Sequence, residues 1–160
     1  MQIAKILRDK MNYKFKGEIK DVYESRFRNF SPMEFRALLD ISHIRVDSKG
    51  ATLIEEDSHL DAILYIISGH CDVVVKGVTV ATLNSHDFVG EMSFLTGSKT
   101  TADVVCATQV RYIFWEKEKL FKKLFADPHL LHRFEGAIGL QLIEKLKQES
   151  QKRANLKLVS

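Results

Sequence analysis

The sequence predicts an α+β protein: an antiparallel β-roll of about eight strands, jelly-roll-like, flanked by N-terminal helices and by two C-terminal helices. Three observations predict it. The apolar residues follow a helical rhythm towards both ends of the 160-residue chain and a strand rhythm between them. The central segments are short and β-branched, and turn residues separate them at close intervals. With 45% hydrophobic residues the chain can bury a core of ordinary single-domain size without a metal or a disulfide.

Residues 1–30 read as a helical lead-in. Ile3, Ile6 and Leu7 recur at helical spacing between Ile3 and Lys10, and a second helical stretch covers Asp21 to Phe27. The domain proper spans 31–150. It opens on Ser31-Pro32-Met33-Glu34, which combines an N-cap, a proline at the first helical position and a capping-box acid three residues after the cap. Phe35, Leu38 and Leu39 follow on one face, and this helix should end near Ile41.

The period then changes. His43–Val46, Thr52–Ile54, Ile63–Ile67, Cys71–Val75, Thr79–Leu83, Ala102–Cys106 and Val110–Phe114 are strand-like, with turns at Asp47-Ser48-Lys49-Gly50, Ser68-Gly69-His70, Lys76-Gly77 and Asn84-Ser85-His86-Asp87. Many short strands at this spacing imply a sandwich or a roll. Helical spacing returns over Glu116–Ala126, with Leu120, Leu124 and Phe125. Asp127-Pro128 then starts a last helix that should run to about Gln148.

Along that helix Leu130, Leu131, Phe134, Ile138, Leu142, Ile143 and Leu146 keep a three-four rhythm, the mark of a face meant to be covered. Gly136 and Gly139 each cost about 1 kcal/mol against Ala, which points to a hinge or to close backbone approach. Residues 151–160 read as a flexible tail, too short for an appended helix-turn-helix unit.

Composition narrows the function. Lys and Arg number 24 against 21 Asp and Glu, and the net charge of +3 has no concentrated basic face, so no nucleic-acid partner is expected. The first twenty residues carry charges every few positions, and no later run approaches membrane-spanning length, so neither a signal peptide nor a membrane partner is expected and the default location is cytoplasmic. Cys71 and Cys106 lie in apolar runs and read as core. The six histidines show no metal-site spacing, and no nucleophile elbow, phosphate-binding P-loop or paired-acid arrangement is present, so no metal, no cofactor and no catalysis are expected.

The segment with chemistry in it runs from Phe88 to Ala102. Gly90 allows close backbone approach, and Glu91 opens a short helix whose start offers unpaired amides to an anion, while the Glu91 carboxylate can accept a hydrogen bond from a sugar hydroxyl. This segment resembles the phosphate-binding cassette of cyclic-nucleotide-binding domains, the family of catabolite activators and protein kinase A regulatory subunits. Lys49-Gly50-Ala51-Thr52-Leu53-Ile54 and Leu64-Tyr65-Ile66-Ile67-Ser68-Gly69 are similar to two further motifs of that family, and the likeness spans about Phe30 to Leu146. Phe114–Leu120 and Val22–Phe27 bear a fainter likeness to Popeye domains.

The family resemblance implies a ligand site at Gly90, Glu91, Met92, Ser93, Lys99, Thr100, Thr101 and Ala102, with Leu131, Phe134 and Ile138 of the last helix as a lid over the base. It implies cAMP, cGMP or a related phosphorylated small molecule as ligand, with Glu91 on the ribose. The cassette diverges from the family pattern, because the essential arginine falls on Thr100, its preceding proline on Lys99, and the glycine of a Glu-Gly-Asp turn on Glu56. A bidentate guanidinium bond is worth about 1.5–3 kcal/mol, so its loss implies binding about tenfold to a hundredfold weaker, or held differently. Lys99 is the neighbouring cation, a point charge rather than a planar fork. The competing reading is a ligand-free interaction domain that acts through the stripe on the last helix, where a second copy could pair as a homodimer.

Overall fold

The computed structural model describes residues 15–159. The expected helix between Ile3 and Lys10 lies outside them. Helices α1 (Gly17–Arg26) and α2 (Pro32–Asp40) precede eight strands: β1 (His43–Asp47), β2 (Thr52–Ile54), β3 (Ala62–Ser68), β4 (Cys71–Val75), β5 (Val78–Leu83), β6 (Phe88–Val89), β7 (Asp103–Cys106) and β8 (Val110–Glu116). A short helix, α3 (Glu91–Thr96), interrupts the strands between β6 and β7, and α4 (Lys117–Phe125) and α5 (Pro128–Val159) follow them.

The local signals act as their chemistry dictates. The Ser31 hydroxyl accepts the Glu34 amide at 3.1 Å and the Glu34 carboxylate accepts the Ser31 amide at 2.8 Å, a complete capping box. The Asp127 carboxylate accepts the His129 amide at 3.1 Å where α5 begins. The strands form two antiparallel four-stranded sheets, ordered β1-β8-β3-β6 and β2-β7-β4-β5.

Strand β3 explains the layering. Ala62, Leu64 and Ile66 face the opposite sheet, where they join Ile54, Cys71, Val104 and Cys106. Ile63, Tyr65 and Ile67 face the helices, where Ile113, Trp115 and Phe88 meet Phe27, Phe35, Leu120 and Phe134. Covered on both faces, β3 must be apolar at successive positions, which is why its sequence shows a run and not an alternation. Cys71 and Cys106 lie opposite each other across β4 and β7, both buried and both free.

Three expectations change. Residues 15–30 are more than a lead-in, because Phe15, Val22, Phe27 and Phe30 are buried in the same cluster as Phe35 and Trp115. Residues 151–159 are helical, not a flexible tail. Between Leu140 and Val159 there is no Gly or Pro and most residues are strong helix formers, so α5 continues past Gln148. Gly136 and Gly139 do not serve close packing, since a Cβ at either would meet nothing within 4 Å.

Among the described residues no helix is long and apolar enough to cross a membrane, and no group of three or more His, Cys, Asp or Glu could hold a metal ion.

Candidate ligand-binding site

The cassette is built on a left-handed glycine. Gly90 has φ +88, so the turn demands glycine, and a Cβ there would also displace the end of the Leu60 side chain, 2.3 Å away at Cδ2. Helix α3 starts at once: its first ladder bond runs from the Phe94 amide to Gly90 O at 3.1 Å, and Gly97, again left-handed, closes it with its amide on Ser93 O at 2.8 Å. Phe94 anchors this helix, with its ring 4.9 Å from Phe121 and 5.5 Å from Phe134.

The other arm of the cassette is stitched to the β2–β3 loop. The Thr100 hydroxyl accepts the Ser58 amide at 3.0 Å and donates to Glu55 O at 2.5 Å, while the Thr100 amide donates to Ser58 O at 2.9 Å and the Asp57 amide to Thr100 O at 2.8 Å. In the turn where Glu56 stands at the family's glycine position, the left-handed conformation falls one residue later, at Asp57 (φ +56), a residue type that tolerates it. The Glu56 amide meets Asp103 Oδ1 at 2.6 Å.

Between the cassette and the second half of α5 lies a cleft of about 730 Å³, within the size range of small-molecule sites. Three polar clasps hold α5 across it. Gln141, 1% exposed, accepts the Phe88 amide through Oε1 and donates from Nε2 to Phe88 O at 3.1 Å, satisfying the outward backbone groups of edge strand β6. Arg26 bonds Glu144 at 2.8 Å, lies 3.7 Å from Asp87, and donates from Nε to His86 O at 3.2 Å. Lys145 Nζ stands 3.9 Å from Glu91 Oε1.

Of the residues that sequence reasoning assigned to a ligand, Gly90, Glu91, Met92, Ser93, Thr100, Thr101 and Ala102 line this one cleft. Lys99 does not line it; its side chain lies 3.9 Å from Asp57, both largely exposed. Thr100 lines the cleft, but its single hydroxyl proton goes to a backbone carbonyl, so it has none for a ligand.

The lid is a correction. Phe134 and Ile138 are buried in the core against the sheet and Leu131 packs on the same cluster; none of the three reaches the cleft. The helix presents Gln141, Lys145, Gln148 and Lys152 there instead, at the i, i+4, i+7, i+11 spacing of one face, with Leu142, Glu144, Leu146 and Glu149 beside them. The sequence held one signal for this, a glutamine three residues after Ile138 and one before Leu142, inside the apolar stripe.

Burial raises the Glu91 carboxyl above its ordinary value, with Lys145 opposing the shift and Asp87 adding slightly to it. A raised carboxyl weakens the fold at neutral pH, where the buried group is charged, and the penalty vanishes below the ordinary carboxylate range, where folded and unfolded states both hold the proton. Glu91→Gln is therefore expected to raise the melting temperature of the ligand-free protein at pH 7. That gain should fade as the pH falls to about 4. Melts followed by circular dichroism across this range check it, and a variant that melts lower than wild type at pH 7 would show that attraction to Lys145 outweighs burial.

Comparison with known proteins agrees with this architecture. The family model described as the cyclic nucleotide-binding domain matches residues 45–127, which include the roll and the cassette. The Pycsar effector protein PaPycTIR of Pseudomonas aeruginosa is 29% identical over 116 residues, 72% of this chain and 36% of that protein, so the chain spans about a third of this curated relative. Among solved structures, a cyclic nucleotide-binding domain from Methylobacillus flagellatus KT superposes with a TM-score of 0.72 at 25% identity, covering 88% of this chain and 82% of that one. The catabolite activator protein of Thermus thermophilus shares the fold, with a TM-score of 0.63 at 19% identity over 83% of this chain and 63% of its own. With the family model matching residues 45–127, more than half of this chain, on a β-roll that carries the cassette in place, the chain belongs to the cyclic nucleotide-binding domain family.

Proposed function

We propose that this domain is a regulatory sensor that takes a cyclic nucleotide, cAMP, cGMP or a relative with another base, into the cleft between the cassette and α5. The observation that carries the reading is the joint lining of that cleft: Glu91, a mostly buried carboxylate, looks across it to a helix held by polar clasps. Glu91 accepts the ribose hydroxyl. The amides of Met92 and Ser93, which precede the first ladder bond of α3, face the phosphate, and Thr101 adds a hydroxyl. Ligand can shift α5 only through different affinity for its clasped and released positions, and contact with both walls provides that difference. The likeness to one part of an effector protein supports a role as the controlling module of a larger assembly.

Calorimetric titration with 3′,5′-cyclic nucleotides carrying each of the four bases tests this. Heat at micromolar ligand that disappears in Glu91→Ala is the expected result; silence at millimolar ligand across the panel overturns it.

A second reading has its own observation. Leu142, Ile143 and Leu146 on α5 are 44%, 51% and 55% exposed, an apolar strip that a second copy or another protein could cover. A monomeric mass in solution at high concentration removes the homodimer form of that reading.

A further inference from the structure

We infer that Lys145, reaching in from α5, is the cation that holds the ligand's phosphate, in the place where a cassette arginine would otherwise act. This rests on the cyclic-nucleotide reading above and names the residue that completes the site.

The cassette itself cannot supply the charge. Thr100 stands at the arginine position with its hydroxyl proton given to Glu55 O, and Lys99 lies outside the cleft beside Asp57. Three basic residues line the cleft: Arg26, Lys145 and Lys152. The Arg26 side chain is only 8% exposed and is engaged by Glu144, Asp87 and His86 O. Lys152 is exposed, two helical turns beyond Lys145.

Lys145 differs from both. Its side chain is 36% exposed, and its one ion-pair partner among the described residues is Glu91, at 3.9 Å. That distance is too long for a hydrogen bond, so the contact is charge against charge and fills none of the three ammonium donors. A phosphodiester placed next to a mostly buried carboxylate is repelled unless a cation lies between them. Lys145 already stands there. When a ribose hydroxyl donates to Glu91, the flexible lysine stem lets the same ammonium face both the carboxylate and the phosphate.

The placement has a consequence for regulation. A cation carried by the cassette would hold ligand without reference to α5, whereas a cation carried by α5 makes the ligand a bridge from cassette to helix. Binding strength and helix position are then one quantity.

The test uses the full chain and the same four cyclic nucleotides, titrated into wild type, Lys145→Ala, Lys145→Arg and Lys99→Ala, each at two salt concentrations. For the tightest ligand, Lys145→Ala is expected to weaken binding about tenfold to a hundredfold and to flatten its salt dependence, while Lys145→Arg stays near wild type and Lys99→Ala changes affinity less than about twofold. Melts of the ligand-free variants keep folding separate from binding: Lys145→Ala leaves Glu91 without its ion pair and is expected to melt slightly lower than wild type while staying folded at the titration temperature, and Lys145→Arg is expected to restore the wild-type melt. Wild type that binds while Lys145→Ala binds equally well, or a loss found in Lys99→Ala instead, overturns this inference and leaves the sensor reading standing. Wild type that binds none of the four brings down both.

Discussion

Phe27→Ala is expected to cost about 3–5 kcal/mol of unfolding free energy and to lower the melting temperature by roughly 10 °C. Phe27 is fully buried, and its ring lies 4.9 Å from Phe35, 5.3 Å from Phe30, 5.4 Å from Tyr65, 5.8 Å from Phe88 and 6.2 Å from Trp115. Those neighbours belong to α2, β3, β6 and β8 and to the turn before α2, so no single element can move to fill the space an alanine leaves. The loss therefore includes the cavity as well as the transfer of the ring. Thermal and urea unfolding measure it, and Phe27→Leu, which keeps most of the volume, should lose only about 1 kcal/mol. A fall below about 3 °C for the alanine variant would mean that α1 is an attachment to the roll and not part of its core.

That prediction concerns a segment whose importance the sequence concealed. Between Lys16 and Asn29 charged residues alternate with single apolar ones, so Val22 and Phe27 give only a faint helical period. Their burial is decided by β3 and β8, which lie far away in sequence and offer a second apolar face. The strands were legible for the opposite reason: β-branched residues bounded by Gly and Asp turns carry their own local signal, and the Ser31–Glu34 capping box fixes a helix start through four consecutive residues. Strand β6 has two residues, too few for any period.

The site divides in the same way. Gly90 and Glu91 could be found because the turn and the helix start are local. The engagement of Thr100 with Glu55 and Ser58 spans more than forty residues, and that of Lys145 with Glu91 more than fifty, so spacing rules do not reach them. The lid was misplaced through a sound rule applied to the wrong turn of the helix. Periodicity shows which residues share a face of α5, but Phe134 and Ile138 cover the sheet, and the cleft begins only where apolar burial ends.

What holds α5 beyond that point leads to the second large effect. Ile138 is 1% exposed, whereas Leu142, Ile143 and Leu146 are all more than 40% exposed, so little apolar burial fastens the helix over the cleft. Gly136 and Gly139 just before it weaken the helix by about 1 kcal/mol each without any packing return. The polar clasps carry the load, and Gln141 is the buried one. Gln141→Ala would leave the outward amide and carbonyl of Phe88 without partners, at about 1–3 kcal/mol for each group that stays dry. Because α5 can lift and let water reach those groups, the loss should be local. Amide hydrogen exchange is expected to quicken about tenfold to a hundredfold from residue 142 to 152, with little change between 129 and 138. Gln141→Glu separates the lost bond from lost volume: ionised, it accepts from Phe88 but cannot donate to it, and protonated it does both. Its exchange should be fast at pH 7 and, corrected for the intrinsic rate, should slow as the pH falls, since burial raises the carboxyl into the accessible range. Uniform acceleration along the whole of α5, or no response of Gln141→Glu to pH, would show that the helix is held by something other than the Gln141 clasp.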